Sequence, residues 1–101
     1  MDELCTLSAR EAVRRLRAGT VSPLELIDAA LTRIAAVDPA VNAVPTLCAQ
    51  RAREHASRIM AGAAPAGLLA GLPVLIKDLV EVAGVRTTMG SPIFKDHVPG
   101  F

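Results

Sequence analysis

Apolar residues recur at intervals of three or four in three segments of the first half of the chain, and this spacing predicts three amphipathic helices. We expect the helices over residues 7–18, 22–37 and 48–61. Their apolar faces comprise Ala9, Ala12, Val13 and Leu16 in the first, Leu24, Ile27, Leu31 and Ile34 in the second, and Cys48, Ala52, Ala56 and Ile59 in the third. Charged side chains occupy the opposite faces, so each helix is expected to pack one side against a core.

The first two predicted helices carry start and stop signals. Each begins with a serine followed three residues later by a glutamate, the pattern of a capping box in which both side chains bond backbone N–H groups. The two pairs are Ser8 with Glu11 and Ser22 with Glu25. Gly19 is expected to end the first helix, and the step from Asp38 to Pro39 is expected to end the second, since proline disfavours a helical residue before it.

The second half of the chain follows a different pattern. Residues 72–76 form a short apolar run followed by the charged pair Lys77 and Asp78, which predicts a buried strand that ends at the lysine. If residues 42–47 form a second, short strand, we expect it at a sheet edge or with a bulge, because the segment contains Pro45. The sequence therefore predicts helices with one short strand, and then a strand that ends in charge.

We expect one incomplete domain in three parts. Residues 1–61 contain the helices and the short strand, residues 62–71 form a linker of small residues, and residues 72–101 contain the lysine-bearing strand and a following loop. A strand that is apolar on both faces is typical of a sheet centre, and this chain offers few strands to flank it.

Composition narrows the classes of function. Hydrophobic residues make up 51% of the chain, but 18 of them are alanines and only two are phenylalanines, so the core is expected to be thin. A net charge of +1 argues against nucleic acid as a partner.

No secretory signal or membrane span is expected, because the longest apolar stretch, 63–76, is short and interrupted by glycine and proline. We expect a cytoplasmic protein with reduced thiols, in which Cys48 is buried.

Lys77 is the main candidate for chemistry. An ammonium group at the end of a buried strand needs a partner or a function, and ligand sites in α/β sheets commonly lie at that edge. Burial favours the uncharged amine of a lysine, which can then act as a base, whereas the neighbouring carboxylate of Asp78 favours the ammonium. The alternative is an exposed lysine that only marks the end of the strand.

Eight residues between positions 71 and 92 stand at a spacing known from one protein family. They are Gly71, Pro73, Lys77, Asp78, Gly84, Thr87, Gly90 and Ser91. This pattern resembles the first signature block of the amidase signature family. The resemblance implies an α/β fold, of which this chain forms the incomplete N-terminal portion, with a mixed sheet flanked by helices. It also implies an amidase mechanism with a serine nucleophile, a second serine with a cis peptide bond, and Lys77 as the catalytic lysine.

The family's two serines belong to a Gly- and Ser-rich segment that has no counterpart in this sequence, so we expect the chain alone to be inactive. Ser91 is interpreted as the cap of a turn that begins at Pro92. Asp78 is expected to support the site by accepting hydrogen bonds from the turn around residues 84–88. His55 and His97 lack further ligands at metal-binding spacing, so neither a metal nor another cofactor is expected.

Three interpretations of the whole remain open. The first is the N-terminal part of an amidase whose complete form binds a small-molecule amide, with no nucleic acid or membrane partner and with homodimerisation left open. The second is part of an aminoacyl-tRNA amidotransferase A subunit; those proteins usually carry Asn where this chain has Leu79, which favours the first interpretation. The third is a small helical interaction module without chemistry, which gives no reason for the Lys77 and Asp78 pair.

Overall fold

The computed structural model describes residues 2–63 and 67–100. Its elements in chain order are the α-helices α1 (Asp2–Cys5), α2 (Ala9–Ala18), α3 (Pro23–Val41) and α4 (Ala49–Met60), followed by a 3-10 helix, Pro92–Phe94. The three helices predicted from the apolar spacing are confirmed, whereas α1 was not predicted. The described ranges contain no β-strand, and their one β-type pairing is an isolated antiparallel bridge between Val82 and Val85.

The strands predicted at residues 72–76 and 42–47 are therefore wrong for this structure, and the described part of the chain is helical rather than α/β. Val74, Leu75 and Ile76 are 67%, 74% and 57% exposed instead of buried. A strand is stabilised by hydrogen bonds to a neighbouring strand, and no described segment pairs with this run. The apolar composition favours a strand at these positions. Without a partner strand, the segment stays irregular and exposed.

Helix α2 is capped at the two predicted residues, Ser8 and Gly19, although it begins at Ala9 rather than at residue 7. The Ser8 Oγ accepts a hydrogen bond from the Glu11 N–H at 3.1 Å, which is one half of the predicted capping box. The other half is missing, because the Glu11 carboxylate accepts hydrogen bonds from the side chains of Arg14 and Arg15 instead. Gly19 follows the helix in the left-handed conformation, with φ of 74°, and its N–H bonds the last turn.

Helix α3 has the complete capping box but runs past its predicted end. At its start, the Ser22 side chain accepts from the Glu25 N–H and the Glu25 side chain accepts from the Ser22 N–H. The helix continues through Pro39 to its last residue, although proline has no N–H for a helical hydrogen bond. It ends at Asn42, whose φ is 54°, and the Asp38 carboxylate accepts hydrogen bonds from the next two backbone N–H groups.

The core is small and lies between the first three helices. Its buried members are Ala12, Val21 and Leu26, surrounded by the partly buried Leu4, Leu7, Leu16 and Leu72. Helix α3 contacts both α1 and α4. Its fully buried residues are Leu26 and Ala29, while the predicted apolar face of α3 is only partly buried. Leu72 is the point at which the second half of the chain joins this core.

The chain exposes more surface than a compact protein of its size. Its accessible area is 7029 Å², whereas a folded protein of 10.5 kDa exposes about 5,400 Å² by the usual scaling with mass. Its radius of gyration is 14.6 Å, against about 13 Å for a compact domain of 100 residues. The excess agrees with the thin core predicted from the alanine content.

The predicted linker and the predicted division of the chain into three parts can be compared with the structure only in part. Residues 64–66 of the predicted linker 62–71 lie outside the described residues, and the division of the chain into three parts stays a prediction. None of the described helices combines the length and apolar character needed to cross a membrane.

Candidate functional site

Lys77 lies on the surface at the beginning of a turn. Its carbonyl oxygen accepts a hydrogen bond from the Val80 N–H at 2.9 Å, and its residue is exposed. The lysine therefore follows an irregular segment rather than the end of a buried strand. Its backbone is fixed by the turn, while its ammonium group is free to reach solvent or a ligand.

Asp78 is held by three hydrogen bonds from the segment that follows Arg86. Its Oδ1 accepts from the Thr88 N–H at 2.8 Å, its Oδ2 accepts from the Thr88 hydroxyl, and its carbonyl oxygen accepts from the Met89 N–H at 2.9 Å. The predicted hydrogen bonding of this carboxylate to residues 84–88 is confirmed. Thr88 itself was not singled out from the sequence, because the spacing pattern contains its neighbour Thr87 instead.

The hydrogen bonds to Asp78 also determine its charge. The Thr88 hydroxyl contributes most to holding the pKa of the Asp78 carboxyl below its ordinary value, followed by the Thr88 N–H, and the nearby guanidinium of Arg86 acts in the same direction. These contacts favour the charged form of the Asp78 carboxyl. That form places a fixed negative charge beside Lys77 in the sequence.

A tight turn lies between the Asp78 segment and Thr88. The Val85 N–H donates to the Val82 carbonyl at 3.0 Å, and Gly84 adopts a left-handed φ of 76° that glycine tolerates. The Arg51 guanidinium of α4 donates to the Ala83 carbonyl at 2.9 Å. The turn predicted at Gly84 is thus confirmed, and Arg51 joins it to the helical half.

Arg86 connects three separate loops. Its guanidinium donates to the carbonyl of Pro45 at 3.2 Å, to the hydroxyl of Thr46 at 3.3 Å, and to the carbonyl of Lys95. An arginine can do this because its planar group carries five N–H donors. Arg86 was not predicted as a site residue, although a single charged side chain after the apolar positions 82–85 is a sequence signal for it.

A groove of about 400 Å³ lies between α4, the loop around Pro45 and the segment that contains Lys77. Its lining includes the charged or titratable side chains Arg51, His55, Arg58, Lys77, Asp78 and Arg86, together with apolar residues such as Val74 and Ile76. None of the described serines lines it. The groove offers the amine of Lys77 and further positive charge beside an apolar wall, but no serine side chain from the described residues.

The other candidates have structural roles or none. The Ser91 Oγ accepts a hydrogen bond from the Ile93 N–H at 3.3 Å and caps the 3-10 helix, as predicted. Cys48 is exposed, so the prediction of a buried thiol is wrong; it precedes α4 instead of lying within its packed face. The His97 Nε2 lies 3.7 Å from a carboxylate oxygen of Glu81. Across residues 2–63 and 67–100, no group of three or more metal-ligating side chains occurs.

Comparison with known proteins finds one matching family model and several relatives that share one name. The model of a family described as Amidase matches residues 25–101. The A subunit of glutamyl-tRNA(Gln) amidotransferase from Carboxydothermus hydrogenoformans is 39% identical over 103 residues, which cover 98% of this chain and 21% of that protein. The same subunit from Anaeromyxobacter dehalogenans is 41% identical over 102 residues, with coverages of 98% and 21%, and that from Prochlorococcus marinus is 42% identical over 91 residues, with coverages of 87% and 19%.

The chain thus spans about a fifth of the length of the curated relatives it matches. No solved structure matches it significantly. The resemblance to the amidase signature family is confirmed by the family match. The relatives are named as amidotransferase subunits, which agrees with the second interpretation more than with a stand-alone amidase, so the preference drawn from Leu79 is not supported.

Proposed function

The chain belongs to the Amidase family, and from this premise we propose that it supplies the lysine base of a site that cleaves carboxamides, with Lys77 as that base. One observation carries the proposal. Within the family match, Lys77 presents an exposed side chain at a groove, on a turn whose backbone is hydrogen-bonded at the Lys77 and Asp78 carbonyls. The amine is accessible, and its attachment point is fixed.

In the proposed mechanism, the neutral amine of Lys77 takes the proton of the nucleophilic serine through a bridging serine. The serine oxygen then forms a bond to the carboxamide carbon, and ammonia leaves with the proton that the lysine returns. Water hydrolyses the resulting ester in a second step. Both serines come from the part of the family domain that these residues do not include.

We further propose that the complete protein is an amidotransferase subunit of the same kind as its relatives, whose name gives glutamyl-tRNA(Gln) as the substrate. The net charge of +1 supports a role for these residues in amide chemistry rather than in contacts with the RNA. We place the protein in the cytoplasm, with a small carboxamide as the substrate that its lysine site cleaves and no cofactor. Homodimerisation of the complete protein stays a prediction.

The test uses a complete protein that carries these residues. Its ammonia release is measured with a panel of primary carboxamides, including glutamine and asparagine. Lys77→Ala is expected to lower kcat by about 10²–10⁴-fold, the range of general base catalysis. Lys77→Arg should be nearly as poor, because a guanidinium stays protonated and cannot act as a base.

Lys95→Ala is the matched control, since Lys95 is the other lysine of the chain and is also exposed. It should retain full activity. The 101-residue chain alone should release no ammonia above background. Retention of most activity in Lys77→Arg would contradict the role of Lys77 as a base.

A further inference from the structure

The backbone on the C-terminal side of Lys77 is held at two successive carbonyl groups. The Lys77 carbonyl accepts a hydrogen bond from the Val80 N–H, and the Asp78 carbonyl accepts one from the Met89 N–H, both at 2.9 Å. The first bond closes a local turn. The second joins this turn to a segment more than ten residues further along the chain, so the position of Lys77 depends on that segment.

The side chains of Asp78 and Thr88 reinforce the same connection. Both carboxylate oxygens of Asp78 are used, one by the Thr88 N–H and the other by the Thr88 hydroxyl. The hydroxyl oxygen also accepts from the Gly90 N–H at 3.3 Å, and Thr88 is only 8% exposed. A carboxylate anchored at both oxygens has a fixed distance and a fixed rotation relative to its partner. We call this arrangement the Asp78–Thr88 clip.

The segment beyond the clip has an unfavourable backbone conformation. Met89 has a φ of 54°, in the left-handed region that residues other than glycine seldom adopt, and Gly90 follows with a φ of 68°. Such a conformation persists only where surrounding contacts hold it. Here the hydrogen bond from the Met89 N–H to the Asp78 carbonyl is one such contact.

From this geometry we infer that Asp78 and Thr88 are the positioning residues of Lys77: the clip fixes the turn from which the lysine amine reaches the groove. The inference rests on the proposed function of Lys77 as the base. Neither Asp78 nor Thr88 takes a proton from the substrate or from a serine in this scheme. Their effect on catalysis passes through the location of the Lys77 amine.

The first measurement needs no activity and uses the 101-residue chain. Thr88→Val removes the hydroxyl while it keeps the shape of the side chain, and it is expected to accelerate hydrogen exchange at the amides of Val80 and Met89 by about tenfold or more. Thr88→Ser keeps the hydroxyl and should restore slow exchange. Thr87→Val is the matched control, because Thr87 is also buried but its hydroxyl donates to the Val85 carbonyl.

The second measurement compares two backgrounds of a complete protein that carries these residues. With Lys77 present, Thr88→Val is expected to lower kcat by about 10–100-fold at nearly constant KM, since displacement of a catalytic group by about 1 Å can cost 10²-fold. In the Lys77→Ala background, the same substitution should cause no further loss. Thr88→Ser and Thr87→Val should keep kcat in the first background.

The outcomes separate this inference from the proposed function. An equal fold-loss from Thr88→Val in both backgrounds would show a general structural role and overturn the inference, while a large loss from Lys77→Ala alone would still support the base. Unchanged exchange at Val80 and Met89 in Thr88→Val would also overturn it. Full activity of Lys77→Ala would contradict the proposed function itself and the positioning role with it.

Discussion

The two halves of this chain are held together by different interactions. Residues 2–60 form helices whose hydrogen bonds are local, and they supply the buried aliphatic residues Ala12, Val21, Leu26, Ala29 and Ala56, whereas Pro99 is the buried apolar residue of the second half among the described residues. Residues 67–100 contain only one turn of 3-10 helix among their described elements. Their order comes from single hydrogen bonds such as those of the Asp78–Thr88 clip and of Arg86.

The difference shows what each kind of interaction requires. A helix satisfies its own backbone groups, so the first half reaches its structure with a small core. An apolar strand needs neighbours, and residues 74–76 stay exposed because no described segment pairs with them. The segment that contains Lys77 is thus the one that packs least against the rest of the chain. This agrees with the small share of its relatives' length, about a fifth, that the chain covers.

The greatest change is expected from a substitution in the helical half. Leu26 is 5% exposed at the centre of the core, so Leu26→Ala should destabilise the protein by about 2–5 kcal/mol through lost burial and a cavity. This is a large fraction of the stability of a small domain, so the helical signal should be lost at much lower urea. Urea unfolding followed by circular dichroism measures it.

Leu47→Ala is the matched control for this substitution, since Leu47 is 56% exposed and should change the midpoint little. If both variants lose the same stability, the small core around Leu26 is not what holds the helices together. The contrast between the halves would then have to rest on helix propensity alone.

A smaller effect is expected at the junction of the halves. Gly71 has a φ of 92°, and an added Cβ would lie 3.0 Å from Pro23 Cγ and 3.2 Å from Leu16 Cδ2. Gly71→Ala therefore combines backbone strain of about 1–2 kcal/mol with crowding, and should release Leu72 from the core. Urea unfolding, together with faster hydrogen exchange at the Leu72 amide, measures it.

Gly62→Ala separates strain from crowding at this junction. Gly62 has a similar φ of 75°, but a Cβ added there would have no atom within 4 Å. It should show the strain alone and leave Leu72 in place. Equal losses in the two variants would mean that the second half is not docked through Gly71 and Leu72.

The weakest effect is expected in the pH dependence of the structure. It distinguishes the two halves because a different carboxyl group titrates in each, Glu11 in the first and Asp78 in the second. The guanidinium of Arg14, and then that of Arg15, lowers the pKa of Glu11 from 4.5 to about 2. Because the folded-state pKa is depressed, the contribution of Glu11 to α2 is complete above pH 4.5 and is lost as the pH falls toward 2. The loss is small, since the ion pairs are on the surface.

Amide chemical shifts followed between about pH 5 and pH 2 check this prediction. Glu11→Gln should abolish the response of α2, while the Thr88 amide should still respond as Asp78, whose pKa is also lowered, is protonated. If the Thr88 amide loses its response in Glu11→Gln, the two halves titrate as one unit, and the comparison between them fails.

Local sequence signals were sufficient to place helices α2, α3 and α4 and to identify the family. Ser8, Ser22 and Gly19 act within one turn of their own position, so local chemistry predicts where α2 and α3 begin and where α2 ends. The spacing from Gly71 to Ser91 is a property of the sequence alone, and the match to the Amidase family confirms the resemblance drawn from it. Lys77 as the candidate base also comes from that spacing.

The remaining features depended on tertiary contacts, which the sequence pattern does not specify. Helix α3 ran past Pro39 and ended where the Asp38 carboxylate accepts from the backbone that follows it, and the absence of a paired neighbour in the described residues left 72–76 irregular. The choice of Thr88 rather than Thr87 as the partner of Asp78 depends on the turn between them. A hydrogen bond between residues far apart in the chain is selected by the fold, whereas the apolar pattern records only which positions can be buried.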